Sequence, residues 1–274
     1  MFRLLRANFA RLWKTKSFWV CFILSVALSA ANFFESYSVQ KESIQRLGAQ
    51  IMSNGSNVML FAAIFAALYL GTDYSNGTIR NKLIIGHKRL DIYLSNLTTA
   101  AAGALMMLAA SWLTVSTAGL CLGGKLGMPA DELALQMLIC IAAIAAVSAV
   151  FTLIGMLITS KSSITTITLV LTFALILGSA VIMSLLGEPE YVSGYEISAD
   201  GQVSQSEPQP NPLYVSGAKR VVMTALNDIL PSGQILQLET GDVHTPEILP
   251  LYSLGVLAVS TGAGLLAFRR KDLK

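Results

Sequence analysis

Charge is scarce in this 274-residue chain. Only 13% of its residues are Asp, Glu, Lys or Arg, about half the share of a soluble globular protein. The scarcity is concentrated. Stretches of 18, 26, 33, 28, 26 and 21 residues without any of the four types run between Lys16 and Glu35, Arg46 and Asp73, Asp91 and Lys125, Glu132 and Lys161, Lys161 and Glu188, and Glu247 and Arg269. Histidine is missing from all of them. An ionisable side chain at mid-bilayer costs about 2.5–3.5 kcal/mol on insertion scales and is kept for relays, ion coupling or sensing. Its absence therefore speaks against proton-coupled chemistry inside these stretches, although a site of carbonyls and hydroxyls for Na⁺ stays open.

Cysteine and histidine are sparse too. Cys21, Cys121 and Cys140 lie in or beside apolar runs, and their odd number excludes a closed disulfide framework. They fit small apolar side chains. His87 and His244 have no Cys or His at metal-ligand spacing. No Ser-His-Asp or Cys-His set can be gathered on one side of the runs. Neither an enzymatic centre nor a metal or cofactor site is expected. Gly119 to Lys125 matches the start of a nucleotide-binding loop, but Leu126 stands where Ser or Thr must hold Mg²⁺ and no strand precedes it. Gly119 and Gly123 read instead as small residues for helix packing.

What is present is apolar length. About 20 helical residues cross a hydrocarbon core of about 30 Å, and a lipid-facing backbone must bond to itself. The runs are too long and too uniform for barrel strands. The expectation is an all-α polytopic membrane protein, one domain over 1–274, with spans at 17–34, 56–72, 97–122, 133–158, 164–186 and 248–268. The basic arm before the first span favours an uncleaved anchor over a removed leader. Spans four and five, joined by little more than Ser160–Ser163, read as a tight hairpin, and the small residues of spans three to five suggest packing on protein.

Orientation follows from where the cations fall. With the N-terminus inside, 14 of the 19 Lys and Arg lie in the inner pieces, against only Asp73, Asp91 and Asp272 of the 16 acids. That is the positive-inside pattern, with both termini cytosolic. Residues 1–16 place Phe2, Leu5, Phe9, Leu12 and Trp13 at helical spacing beside Arg3, Arg6, Arg11 and Lys14, an interfacial amphipathic helix that would contact membrane lipid. Residues 35–55 read as a polar outer loop. Residues 187–247 form the large extracellular loop, irregular over Glu188–Pro212. Ala218, Val221, Val222, Ala225, Leu226, Ile229 and Leu230 then follow a helical stripe that Pro231 stops. Such a stripe needs cover from the spans, the outer leaflet or a partner.

The inner loop 73–96 carries the most specific pattern. Asn76-Gly77 is a turn signal, Thr78 a candidate N-cap, and Gly86 a stop. Between them Ile79, Leu83 and Ile84 favour one side of a short helix, and Arg80 and Lys82 others. A charged knob with an apolar ridge suits a socket on a soluble partner, as well as it suits a loop that only sets topology.

Asp73-Tyr74, Gly77 to Leu83, Gly86, Lys88-Arg89 and Tyr93 to Ser95 resemble the region after the second span of ABC-2 type transporter permeases, with Asp at 73 for the more frequent Glu and Asn96 where Lys is common. Leu230-Pro-Ser-Gly-Gln234 and the Arg269 to Leu273 end are similar to segments of the same family. The resemblance implies that the loop is a coupling helix docked on a separate cytosolic ABC ATPase, with Thr78, Ile79, Arg80, Lys82 and Leu83 touching the ATPase and Asp73 anchoring the loop base. It implies a second permease chain, identical or not, in the cytoplasmic membrane. The function expected is export of a hydrophobic or amphipathic substrate, with Val221, Val222, Ala225, Leu226 and Ile229 gating the outer exit and no nucleic acid involved. The alternatives are a non-transporting subunit for sensing or peptide resistance, and an ion-coupled secondary carrier.

Overall fold

Uncharged runs satisfy their backbone polar groups by winding into helices, and the chain does so along almost its whole length. The computed structural model describes residues 1–193, 195–197, 203–205 and 207–271. Its helices are α1 (Phe2–Lys14), α2 (Lys16–Val39), α3 (Leu47–Met52), α4 (Gly55–Ser75), α5 (Thr78–Ile84), α6 (Arg89–Cys121), α7 (Ala130–Leu157), α8 (Lys161–Gly187), α9 (Gly217–Ile229), α10 (Pro231–Thr240) and α11 (Leu249–Arg270), with a 3₁₀ turn at Lys41–Arg46. Six of them, α2, α4 with the short α3 before it, α6, α7, α8 and α11, are long and apolar enough to cross a membrane. The chain is an all-α polytopic membrane protein.

The helices overrun the apolar stretches read from sequence. α6 has 33 residues, about 50 Å at 1.5 Å per residue, longer than a hydrocarbon core of about 30 Å, and it already begins at Arg89. The loop expected at 73–96 therefore shrinks to α5 and its two flanks. Residues 35–55 are not a polar loop. α2 continues to Val39, and α3 buries Leu47, Ile51 and Met52. The strand formers after Glu190 pair rather than stay irregular. β1 (Tyr191–Val192) meets β4 (Gln209–Pro210), and β2 (Tyr195–Ile197) meets β3 (Val203–Gln205), both antiparallel. Asp272 to Lys274, part of the expected basic tail, lie outside the described residues.

α4, α6 and α7 form the centre, with α2 laid on α4 and α6, α8 on α4, and α11 on α7. The hairpin expected of spans four and five does not form. Ser160 caps α8 by accepting from the Ser163 amide at 3.4 Å, but α8 packs mainly on α4 rather than on α7. Ala142, Ala143, Ala146, Ser148, Ala149 and Gly155 of α7 are buried, whereas α8 leaves Ile167, Val170, Phe173, Leu177 and Val181 exposed. Several polar side chains within the spans bond back to their own helix, Ser148 to the Ile144 carbonyl, Thr152 to Ser148, Thr99 to Ser95 and Thr172 to Thr168, all at 2.7–2.8 Å, while Ser29 of α2 bonds Ser111 of α6 at 2.6 Å. Gly119 does serve close packing, under Leu47, but Gly123 sits at φ +79 with open space around it and is a turn residue.

α1 lies along α6 at the end of the bundle that carries the N-terminus, α5 and Arg269 to Lys271. This is the basic end. α1 turns Leu4, Asn8 and Leu12 inward and Phe2 and Trp13 outward. Trp13 meets Trp19 across the elbow at Thr15, ring centroids 5.7 Å apart, an aromatic pair suited to a membrane–water boundary.

Candidate functional site

Two glycines delimit α5. Gly77 at φ +65 and Gly86 at φ +93 occupy the left-handed region that side chains avoid, so the seven-residue helix begins and ends sharply. Thr78 is its first helical residue rather than its cap. Gly77 holds the cap position, and its carbonyl accepts from the Asn81 amide at 3.0 Å.

The inward side of α5 is mixed. Ile79 is fully buried and Leu83 packs at the edge of the same core. Lys82 also turns inward. Its Nζ donates to Asn8 Oδ1 at 3.1 Å and lies 3.4 Å from Asp73 Oδ2. Asp73, at the foot of α4, is fully buried and ion-paired with Arg11 of α1 as well. The Arg11 guanidinium lies 3.9 Å above the Tyr69 ring. Asn8 extends the set by donating to Asn96 Oδ1 at 2.9 Å and to Ser95 Oγ at 3.3 Å. Burial, with the neighbouring Arg11 cation, pulls the Lys82 ammonium down to about 8.

Of the residues singled out in the sequence, Asp73 and Lys82 thus meet in one cluster, Ile79 is buried, Thr78 and Leu83 are half-buried, and Arg80 is exposed. The outward face consists of Arg80, Asn81, Ile84 and Ile85, the two isoleucines 73% and 77% exposed. Ile84 is therefore not on the packed side. From sequence Asn8 stands out nowhere, Arg11 reads only as one cation of the arm, and Asn96 only as a departure from the family's usual Lys. The place of Asn8 between Leu4 and Leu12 tells only once the buried stripe of α1 is known.

Both flanks of α5 are tied down. Tyr74 donates to the Met156 carbonyl at the end of α7, and Lys271 donates to Tyr74 Oη at 3.0 Å and to the same carbonyl at 3.1 Å. Downstream, Arg89 Nη1 donates to the carbonyls of Phe268 at 2.8 Å, Arg269 at 3.3 Å and Lys271 at 2.5 Å, capping the end of α11. Force applied to α5 would reach the ends of α1, α4, α6, α7 and α11 through these bonds.

The sequence model of the ABC-2 family transporter protein matches residues 4–179. This stretch runs from α1 through most of α8 and includes α5 with all its anchors except those on α11. The chain belongs to the ABC-2 transporter family. It is a membrane transport component of the permease type. Among curated proteins, none matches the chain.

At the opposite end of this ABC-2 permease, the loop between the fifth and sixth spans folds into an elbow. Pro231 ends α9 and also opens α10, where a missing amide hydrogen costs nothing. α10 inserts beside the ends of α3, α4, α7 and α8, so this part of the loop is buried against the bundle. Three buried polar residues after Leu230 find partners, although Gln237 Oε1 accepts from none among the described residues. Ser232 bonds Ser179 at 2.8 Å. Gln234 donates to the carbonyls of Asp228 at 2.7 Å and Leu249 at 3.0 Å and accepts from Ser253 at 2.7 Å. Gln237 donates to Asp228 Oδ1 at 2.9 Å. α9 turns Asn227 and Asp228 inward, and its apolar stripe, Val221, Val222, Ala225, Leu226 and Ile229, is exposed. Of the three covers open to the stripe, the spans of this chain do not supply one.

Glu239, near the end of α10, accepts from the Ser56 amide at 2.6 Å and the Ser56 hydroxyl at 2.8 Å, closing the N-terminus of α4. Burial outweighs these bonds and pushes its carboxyl up to about 7. Between about 4.5 and 7 the unfolded chain releases this proton first, so the folded state loses stability as pH rises through that window and recovers it as pH falls. Glu239→Gln should therefore gain on the parent protein by about 3 kcal/mol between pH about 5 and about 8. Thermal unfolding in detergent at the two pH values checks this. A constant difference would mean that the carboxyl titrates normally.

Proposed function

We propose that this chain is the permease subunit of an ABC-2 exporter, driven by a separate cytosolic ATPase that grips α5. The observation that carries the reading is the division of α5. Ile79, Lys82 and Leu83 root it in the bundle, while Arg80, Asn81, Ile84 and Ile85 stand outward with no cover. An exposed isoleucine pair beside a cation suits a groove on a soluble partner. The excess of cations at the same end favours its placement in the cytosol of a cell whose cytoplasmic membrane holds the six spans. Two such chains, identical or not, would enclose the path. Nucleotide hydrolysis would then rock the ends of α1, α4, α6, α7 and α11 together through the anchors of α5. The α9–α10 elbow would border the exit, with Val221, Val222, Ala225, Leu226 and Ile229 as its apolar lip. The cargo class is a hydrophobic or amphipathic molecule.

The test changes only outward residues. Arg80→Glu with Ile85→Asp should weaken ATPase binding about 30-fold or more, two interface anchors being lost. Transport in proteoliposomes should fall to background while expression and thermal stability stay at the parent level. Parent-level coupling in this double variant would count against an ATPase on α5. Flux driven by an ion gradient in the absence of any ATPase would favour the carrier.

A further inference from the structure

Where the first turn of α6 meets the last turns of α11, Arg89, Leu90, Leu265, Leu266 and Arg269 line a cavity of about 470 Å³ at the basic end. No carboxylate lines it among the described residues. Arg89 spends a single nitrogen, Nη1, on the carbonyls that end α11. Its Nε and Nη2 donate to nothing among the described residues. Arg269 is exposed and joins none of the ion pairs among those residues. Leu90 and Leu266 are 51% and 63% exposed. Two unneutralised guanidiniums therefore stand over an apolar floor, at the ends of two membrane-crossing helices.

We infer that this cavity seats one anionic phospholipid, its phosphate between Arg89 and Arg269 and the first methylenes of an acyl chain along Leu90, Leu265 and Leu266. Guanidinium forks match phosphate oxygens, and the volume lies within the range of small-ligand sites. A free phosphate would answer the charges but leave the leucines wet. A zwitterionic lipid would bring a cation toward two arginines. An anionic lipid satisfies both surfaces. The inference rests on the reading that the basic end faces the cytosolic leaflet, where anionic lipids concentrate. Because Arg89 also caps α11 and begins the helix after α5, a bound lipid would brace the downstream flank of the coupling helix.

The experiment needs no ATPase, so its outcome is separate from that of the coupling test. The full-length chain in detergent is incubated with photoactivatable phosphatidylglycerol or phosphatidylcholine, and labelled peptides are mapped. Phosphatidylglycerol should label the segments holding Leu90 and Leu265–Leu266 in preference to phosphatidylcholine. Arg269→Gln should reduce labelling about fivefold, the worth of one juxtamembrane cation, and Arg269→Lys should largely restore it. Leu266→Glu should abolish it. Excess inorganic phosphate should leave the label in place. Equal labelling by the two lipids, an Arg269→Gln variant that labels like the parent, or displacement by inorganic phosphate would each overturn the assignment.

Discussion

Asp73→Ala is expected to cost about 3–5 kcal/mol, the range for breaking a buried ion pair by removing one partner. Asp73 has no solvent exposure and faces both Arg11 and Lys82. Without it two cations confront each other under α5, where burial and Arg11 already strain the Lys82 ammonium. The root of α5 should loosen, and transport should fail even if an ATPase still binds. Thermal unfolding of the purified chain reads the stability loss. A triple variant then identifies its cause. Adding Arg11→Met and Lys82→Met to Asp73→Ala should recover part of the lost stability, because the stranded charges leave with their partner. If the triple variant were no more stable than Asp73→Ala alone, the cost would lie in packing and not in charge. Asp91 sets the scale for contrast. It is partly exposed and lies 3.8 Å from the N-terminal amine, so its loss should cost less than about 1 kcal/mol.

The difference between these two aspartates could not be read from sequence, although each stands at the edge of an apolar run. Hydropathy shows where charge stops and so marks six spans, while turn residues mark the short helix between Gly77 and Gly86 and apolar spacing marks the stripe after Gly217. None of these shows what covers a side chain. In α5, apolar residues at 79, 83, 84 and 85 leave no single face, so the inward turn of Lys82 and the exposure of Ile84 and Ile85 depend on where Asp73 and Asn8 wait. In α9 the helical stripe is evident, yet Asn227 and Asp228 are the residues buried against the chain, and α10 supplies donors to Asp228. α10 itself was hidden. Its buried Gln234 and Gln237 look like loop residues until their hydrogen bonds are known, and Pro231 reads as a stop when it is also a start.

Gly233→Ala is the second large effect expected, and its physical basis is a close approach of two backbones. At Gly233 a Cβ would fall inside the van der Waals shell of the Asn227 carbonyl oxygen and 2.5 Å from Asn227 Oδ1. A backbone carbonyl cannot swing aside as a flexible side chain can, so α9 and α10 must separate at the elbow. Overpacking of this kind costs about 1–3 kcal/mol, occasionally more. The hydrogen bonds from Gln234 and Gln237 to Asp228 would stretch in the same movement, which places the expected loss at or above the top of that range. The consequence reaches the other end of the molecule. α4 carries Asp73 and Tyr74 at its foot and receives Glu239 from α10 at its head, so one helix of 21 residues joins the elbow to the root of α5. Displacing α10 withdraws Glu239 from Ser56 and loosens that connection. Gly178→Ala supplies the comparison: its Cβ would meet nothing within 4 Å in the middle of α8, and the change should leave stability level or raise it by up to about 1 kcal/mol. Thermal unfolding of the two variants side by side decides the matter. If Gly233→Ala proves as mild as Gly178→Ala, the elbow is not the rigid joint that its hydrogen bonds describe.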